Sequence, residues 1–421
     1  MPFARPEHEV LRLVAMTDPD WERLRSLLSG GLDWDYMRQA ALLHQLDGVL
    51  AWRCLDERLA DACPEAVRED CEGYQQRLAE MNGDWPAEVE AVLSRLQAYG
   101  VRYVVFRGPV TYALYGMGDA WPRVLNHIDV VTHPDDYEAA ASAAESMGRD
   151  PAVRNWSAPW QSVGGIGASF FCSLFTIPPG YDYVHGECLW DRRFVESRRR
   201  CRLIGGVEAW VPEPSRHFAA LAYSTLADLS FVPERLTVNN LARLHNLSRQ
   251  EGFSWETVWQ HLRVTFSESL EPSFTYGPHR AERLREHPDP VIRGDGPLQL
   301  GCDEAVGAAW TISRVAEVYD IEAEALARAQ AILAVQEPYF PAFDPDYYEE
   351  SPHRDGNPIR DQVVYHLVCK WGSLPPLEQF LFAQPEPVTT RGRIDSGLYQ
   401  VLARRAQTFA GEDFLSTRRR A

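Results

Sequence analysis

Asn126-His127-Ile128-Asp129-Val130-Val131 decides how this chain is read, because it has the composition of a strand with an acid inside it. Successive side chains on a strand point to opposite faces, so positions i and i+2 share one face. Two carboxylates spaced that way can grip the same pair of metal ions. Here Asp129 fills the i+2 position, while the i position holds His127 instead of an acid. Upstream, Val101-Arg102-Tyr103-Val104-Val105-Phe106 is β-branched and aromatic, reads as a strand, and closes on the turn Arg107-Gly108-Pro109. A glycine there lets backbone amides approach a ligand closely, since it has no Cβ.

Outward from this pair of strands, the periodicity changes on both sides. Residues 7 to about 98 read as helical, with Trp21, Leu24, Leu27 and Leu28, then Val89, Val92, Leu93 and Leu96, at helical spacing up to a stop at Gly100. A short helix is expected from Val110 to Tyr115. His133-Pro134-Asp135-Asp136 opens another, since proline suits the first helical position and acids favour the first turn. Ser169–Ile177 and Tyr181–His185 read as further strands, and Gly164-Gly165-Ile166-Gly167 as a hairpin or loop. The chain is helical again from Pro214 to about Leu262. Residues 265–300 read as loop, Asp303–Val335 as one or two helices, and the proline-rich residues 338–360 as an ordered lid or packing arm. The expected fold class is therefore α+β, a small mixed-sheet core flanked by N- and C-terminal helical regions. Its expected units are a helical region over 1–98, an α/β core over 99–210, a helical region packing on it over 211–265, and an extension over 266–421.

Composition excludes several functions. With 60 acidic and 42 basic residues the formal net charge is −18, which argues against a nucleic-acid backbone as the main partner. Arg192-Arg193 and Arg198-Arg199-Arg200 form the densest internal basic cluster, read as a solvated face. Lys370 is the single lysine, so no Gly-x-x-x-x-Gly-Lys phosphate loop exists, and Schiff-base chemistry would have to use that residue. The eight cysteines form no Cys-x-x-Cys pair and no zinc spacing. Without an apolar leader or a run of roughly 20 apolar residues, the expectation is a reduced, cytoplasmic protein with no membrane partner.

The order of these pieces, from the helical leader with Ala41-Leu42-Leu43-His44 through the Arg107-Gly108 turn, Tyr115, Arg123, His127-Ile128-Asp129-Val130-Val131 and Pro134-Asp135-Asp136-Tyr137, resembles the uncharacterised nucleotidyltransferase family of the polymerase-β-like superfamily. The resemblance covers roughly residues 20–265, including the trailing helices from Asn240 to Trp259. It implies that Arg107 and Gly108 stand at the family's Lys-Gly turn and that Arg123 matches an arginine ahead of the acidic strand, so these three would hold phosphates. It further implies Asp129 as the principal metal ligand. Tyr183 falls where a third acid belongs; a one-residue shift supplies Asp182 as a second metal ligand, and Glu187 is a further candidate beside His185.

On this resemblance the expected function is transfer of a nucleotidyl group from an NTP, with Mg2+, to a small-molecule or peptide acceptor in a biosynthetic pathway. The catalytic set is His127, Asp129, Asp182 and His185. His127 removes one negative charge from the position that bridges two metals, and neutral imidazole is a poor magnesium ligand. Two alternatives follow from it. One is a catalytically degenerate fold kept as a binding module, with a peptide or a partner enzyme in the cleft. The other is a metal-independent enzyme using His127 as an acid–base group.

Overall fold

The computed structural model describes residues 3–125, 127–147, 157–158, 167–171, 189–231, 237–268, 303–336 and 381–382. The expected helical leader consists of α1 (Pro6–Val14), α2 (Trp21–Leu28), α3 (Trp34–Leu43), α4 (Asp47–Cys54), α5 (Glu65–Asn82) and α6 (Trp85–Ala98). Local chemistry sets their starts. The Asp20 and Asp33 carboxylates accept the backbone N–H groups of Arg23 and Tyr36, satisfying donors that the first turns of α2 and α3 leave open. On α6, Val89, Val92, Leu93 and Leu96 are all buried, as their spacing requires.

Next come β1 (Tyr103–Phe106), α7 (Gly108–Ala113), β2 (His127–Thr132), α8 (Tyr137–Ser146), β3 (Ser157–Ala158) and β4 (Gly167–Phe171). The four strands form one sheet in the order β1-β2-β4-β3. β1 runs antiparallel to β2, β2 parallel to β4, and β4 antiparallel to β3, so the sheet is mixed as expected. Pro134–Asp136 forms a short 3-10 turn, and α8 begins only at Tyr137. The expected strand Tyr181–His185, most of the glycine-rich segment before β4, and the expected arm at 338–360 lie outside the described residues.

The sheet is buried on both sides, which explains why β1 is apolar without alternation. Tyr103, Val105, Ile128 and Val130 face one side and merge with the main core shared by the leading helices. Val104, Phe106 and Val131 face the other and pack against Phe194 and Val195 of α9 (Leu189–Glu196) and Ala220 of α10 (Pro214–Phe231). Phe106 meets Phe194 edge to face, with ring centroids 6.1 Å apart.

Between α9 and α10 lies a hairpin absent from the sequence reading, β5 (Arg199–Arg202) paired antiparallel with β6 (Glu208–Val211). A run of arginines has no apolar alternation to reveal a strand. The expected single helical stretch after Pro214 is three helices, α10, α11 (Val238–Ser248) and α12 (Trp255–Glu268). The stretch from Asp303 resolves into two, α13 (Asp303–Val318) and α14 (Ala323–Gln336). Among the described residues, no helix is long and apolar enough to cross a membrane.

Buried polar groups of α11 tie the leader to the core. The Val238 N–H donates to His44 Nδ1 at 3.2 Å. Asn239 donates from Nδ2 to the Gln45 carbonyl at 3.1 Å and to the Tyr112 hydroxyl at 2.9 Å. Asn246 donates to the Ala15 carbonyl, and its Oδ1 accepts the Thr17 N–H, both at 3.0 Å. Each of these contacts satisfies a group whose burial unpaired would cost about 1–3 kcal/mol.

Gly48, within α4, marks where the leader meets the loop before β2. Its N–H donates to the Pro122 carbonyl at 3.1 Å, and a Cβ at this position would collide with that same carbonyl. Backbone on both sides of the contact leaves no flexible side chain to give way. Gly48→Ala is expected to destabilise the protein by about 1–3 kcal/mol despite the better helix propensity of alanine. The check is a denaturant midpoint; an unchanged or raised midpoint would mean that α4 does not press on Pro122.

Candidate functional site

The site grows from the end of β1. Arg107 leaves the strand with φ 62° and ψ −137°, a left-handed conformation that favours glycine, and α7 starts at the next residue. The sequence singled out Gly108 for the close approach it allows; the conformational demand of the turn falls on Arg107. Three bonds hold Arg107 there. Its N–H donates to His217 Nε2 at 3.1 Å. Its carbonyl accepts the Thr111 N–H at 3.0 Å and the Thr111 hydroxyl at 3.2 Å.

His217 therefore acts as an acceptor, which requires a neutral ring with the proton on Nδ1. Its surroundings enforce that state. Burial, followed by the positive fields of Arg199, Arg243 and Arg107, pushes its pKa down to about 3. No sequence signal pointed to this residue, because one histidine near the start of a helix looks like many others.

Opposite the turn stands Asp129. Register pairs it with Phe106 on β1 and with Ser169 on β4. Its carboxylate is only 5% exposed and lies 3.8 Å from Arg107 Nη1. Arg107 and Asp129, matched from sequence, thus meet in the structure. Gly108 sits beside them with open space: an added Cβ would meet only Tyr112 Cε2, at 3.8 Å, which is ordinary contact. The chain's own packing does not demand glycine here.

The other candidates fall elsewhere. His127 is the first residue of β2, two positions before Asp129, and its side chain lies outside the described residues. Arg123 donates from Nη1 to Gln45 Oε1 at 2.7 Å and from Nε to the Val124 carbonyl at 3.3 Å, so it is engaged with the leader side of the fold. Asp182, Tyr183, His185 and Glu187 lie outside the described residues. Arg198-Arg199-Arg200, read from sequence as a solvated face, is split by the β5 pleat. Arg200 is exposed, whereas Arg199 is partly buried and acts on His217.

A magnesium pair takes several hard oxygen ligands in near-octahedral geometry. At the β1 turn the described residues offer the Asp129 carboxylate, already facing a guanidinium. Among the described residues no group of three or more His, Cys, Asp or Glu side chains could hold a metal ion. The described donors do not fit such a pair.

Two expectations test this geometry. The left-handed backbone at Arg107 stores on the order of 1–3 kcal/mol, so Arg107→Gly relieves strain while losing the Asp129 pair. Its denaturation midpoint is expected to match or exceed the wild-type value; a drop of several degrees would show that the turn is unstrained. The second concerns pH. His217 is held well below its ordinary pKa, so the unfolded chain takes up a proton below about 6.5 that the folded chain refuses. Its contribution is fully present above that pH and declines as pH falls toward 3, by about 1.4 kcal/mol per pH unit. Burial, reinforced by His8, likewise pushes His44 to about 3. In His217→Gln, whose amide oxygen can still accept the Arg107 N–H, the loss of stability between pH 6.5 and 4 should be shallower. Equal slopes for the two proteins would mean that His217 is already charged in the fold.

Comparison with known proteins agrees with this geometry. Residues 30–159, from just after α2 to just beyond β3, match the family model described as an uncharacterised nucleotidyltransferase. No curated protein and no solved structure matches the chain. The matched span contains Arg107, Gly108, Arg123, His127 and Asp129, while His217 and the trailing helices lie beyond it. Through residues 30–159, with their strand–turn–helix at Arg107 and their Asp129 strand, this chain is similar to the uncharacterised nucleotidyltransferase family.

Proposed function

We propose that this nucleotidyltransferase-like protein binds a nucleoside triphosphate against the Arg107-Gly108 turn and transfers its nucleotidyl group to a small-molecule or peptide hydroxyl. The observation that carries this reading is the strained Arg107. A non-glycine residue in a left-handed conformation persists only when its surroundings over-determine it, and such strain clusters at functional sites. Here His217 and Thr111 hold the backbone, while the side chain reaches Asp129 beside a glycine whose open face lets a phosphate come close. In the transfer, the acceptor oxygen attacks the α-phosphorus, the bond to the bridging oxygen breaks, and pyrophosphate leaves. Arg107 would stabilise charge on the phosphate oxygens. Asp129 would take the hydroxyl proton, with His127 as the alternative base. Asp182 and His185 remain proposed members of the site.

A second reading is favoured by one feature. The Asp129 carboxylate lies 3.8 Å from the Arg107 guanidinium, whose positive charge opposes a metal cation on the same carboxylate. In that reading the fold is kept as a binding module for a nucleotide, a peptide or a partner enzyme. Titration calorimetry of the full chain with each of the four common NTPs, with and without magnesium, tests the first reading. Binding of at least one NTP, weakened on Arg107→Ala, is the expected result; no binding under either condition would sink it. His127→Asp then separates the two readings. Nucleotidyl transfer gained on restoring the acid supports the binding module, and loss of a native transfer activity supports the enzyme.

A further inference from the structure

Arg107 is not alone at the turn. Arg199 opens β5 opposite Val211 of β6, and the pleat leaves Arg199 and Cys201 partly buried while Arg200 and Arg202 are exposed. Arg243, on α11, lays its guanidinium over the Tyr112 ring of α7, 4.5 Å from the centroid. Three separate elements thus bring a positive charge toward His217, which lies within electrostatic reach of all three. The carboxylate among them is Asp129, at 3.8 Å from Arg107.

Among the described residues, the cluster lacks the acids that would normally balance it. Neither Arg199 nor Arg243 forms an ion pair among the described residues, and the Nε atom of each is buried without a hydrogen-bond partner. This occurs in a chain with 60 acidic residues against 42 basic ones, where acids are plentiful elsewhere. Partly buried guanidinium groups without acidic partners are costly, and like charges gathered around one point add to that cost. A ligand carrying several negative charges relieves both. Guanidinium groups favour planar, bidentate contact with phosphate oxygens. The open face of Gly108 leaves room for such a ligand beside Arg107.

We propose that Arg107, Arg199 and Arg243 together form a subsite for a linear phosphate chain, the triphosphate tail of a nucleotide. This rests on the nucleotide reading above and adds two residues from outside the family-matched span. His217 serves as the neutral post of the subsite, positioning Arg107 without repelling or attracting the anion.

The test is calorimetric titration of the full-length protein with inorganic tripolyphosphate, and separately with ATP, for wild type, Arg199→Gln and Arg243→Gln. Arg95→Gln, on the exposed face of α6, is the control. Tripolyphosphate should bind the wild type, more weakly as salt rises, and lose about tenfold or more in affinity in each of the two variants, since a charge-assisted hydrogen bond supplies that much. The control should bind as wild type. Tripolyphosphate binding that depends on Arg199 and Arg243 without any nucleotide binding would keep the subsite and overturn the nucleotide reading. Nucleotide binding unaffected by either variant would keep that reading and overturn the subsite. Failure of tripolyphosphate to bind the wild type would overturn it as well. Melting curves accompany each variant; if loss of the Tyr112 stack unfolds Arg243→Gln, then Arg199→Gln decides alone.

Discussion

One hydrogen bond, from the Arg107 N–H to His217 Nε2, joins the two halves on which the rest of this site depends. On one side is the end of β1, held by the sheet; on the other is α10, which covers that sheet. The bond forms only if the imidazole is neutral, and burial among arginines keeps it so. Without it, a buried amide would lose its acceptor and the left-handed turn its main restraint. The direction of the Arg107 side chain, and with it the approach to Asp129, follows from that single contact.

Much of this was legible from residue order. The strand at Val101–Phe106, the glycine turn and the acid at Asp129 are local patterns, since β-branched residues and alternation report directly on a pleated backbone. The α+β class followed from the change of period on either side. The site's other half was not legible for equally physical reasons. His217 is decisive through burial and a tautomer, neither of which has a residue signature. The β5–β6 hairpin is hidden because its strands carry arginines, and a charged run reads as surface until register shows which side chains turn inward. The strain at Arg107 was equally hidden, because positive φ has no residue signature when bonds to neighbours impose it on an arginine.

In sequence the leader and the trailing helices flank the four-stranded sheet. In space α11 joins the two. Its Asn239 and Asn246 side chains bind the Gln45, Ala15 and Thr17 backbone, and Asn239 also holds the Tyr112 hydroxyl on α7. Arg243 stacks on that same tyrosine. One helix thus spans leader and site, so displacement of either is felt by the other.

The two-sided burial of the sheet extends beyond the family-matched span. The family-matched span ends at residue 159, yet Phe194, Val195 and Ala220, which cap the Phe106 side, all come later. Cut at that boundary, the chain would present Val104, Phe106 and Val131 to water beside a β4 edge that no longer exists. The family-matched segment is therefore smaller than the unit that covers both faces of its own sheet.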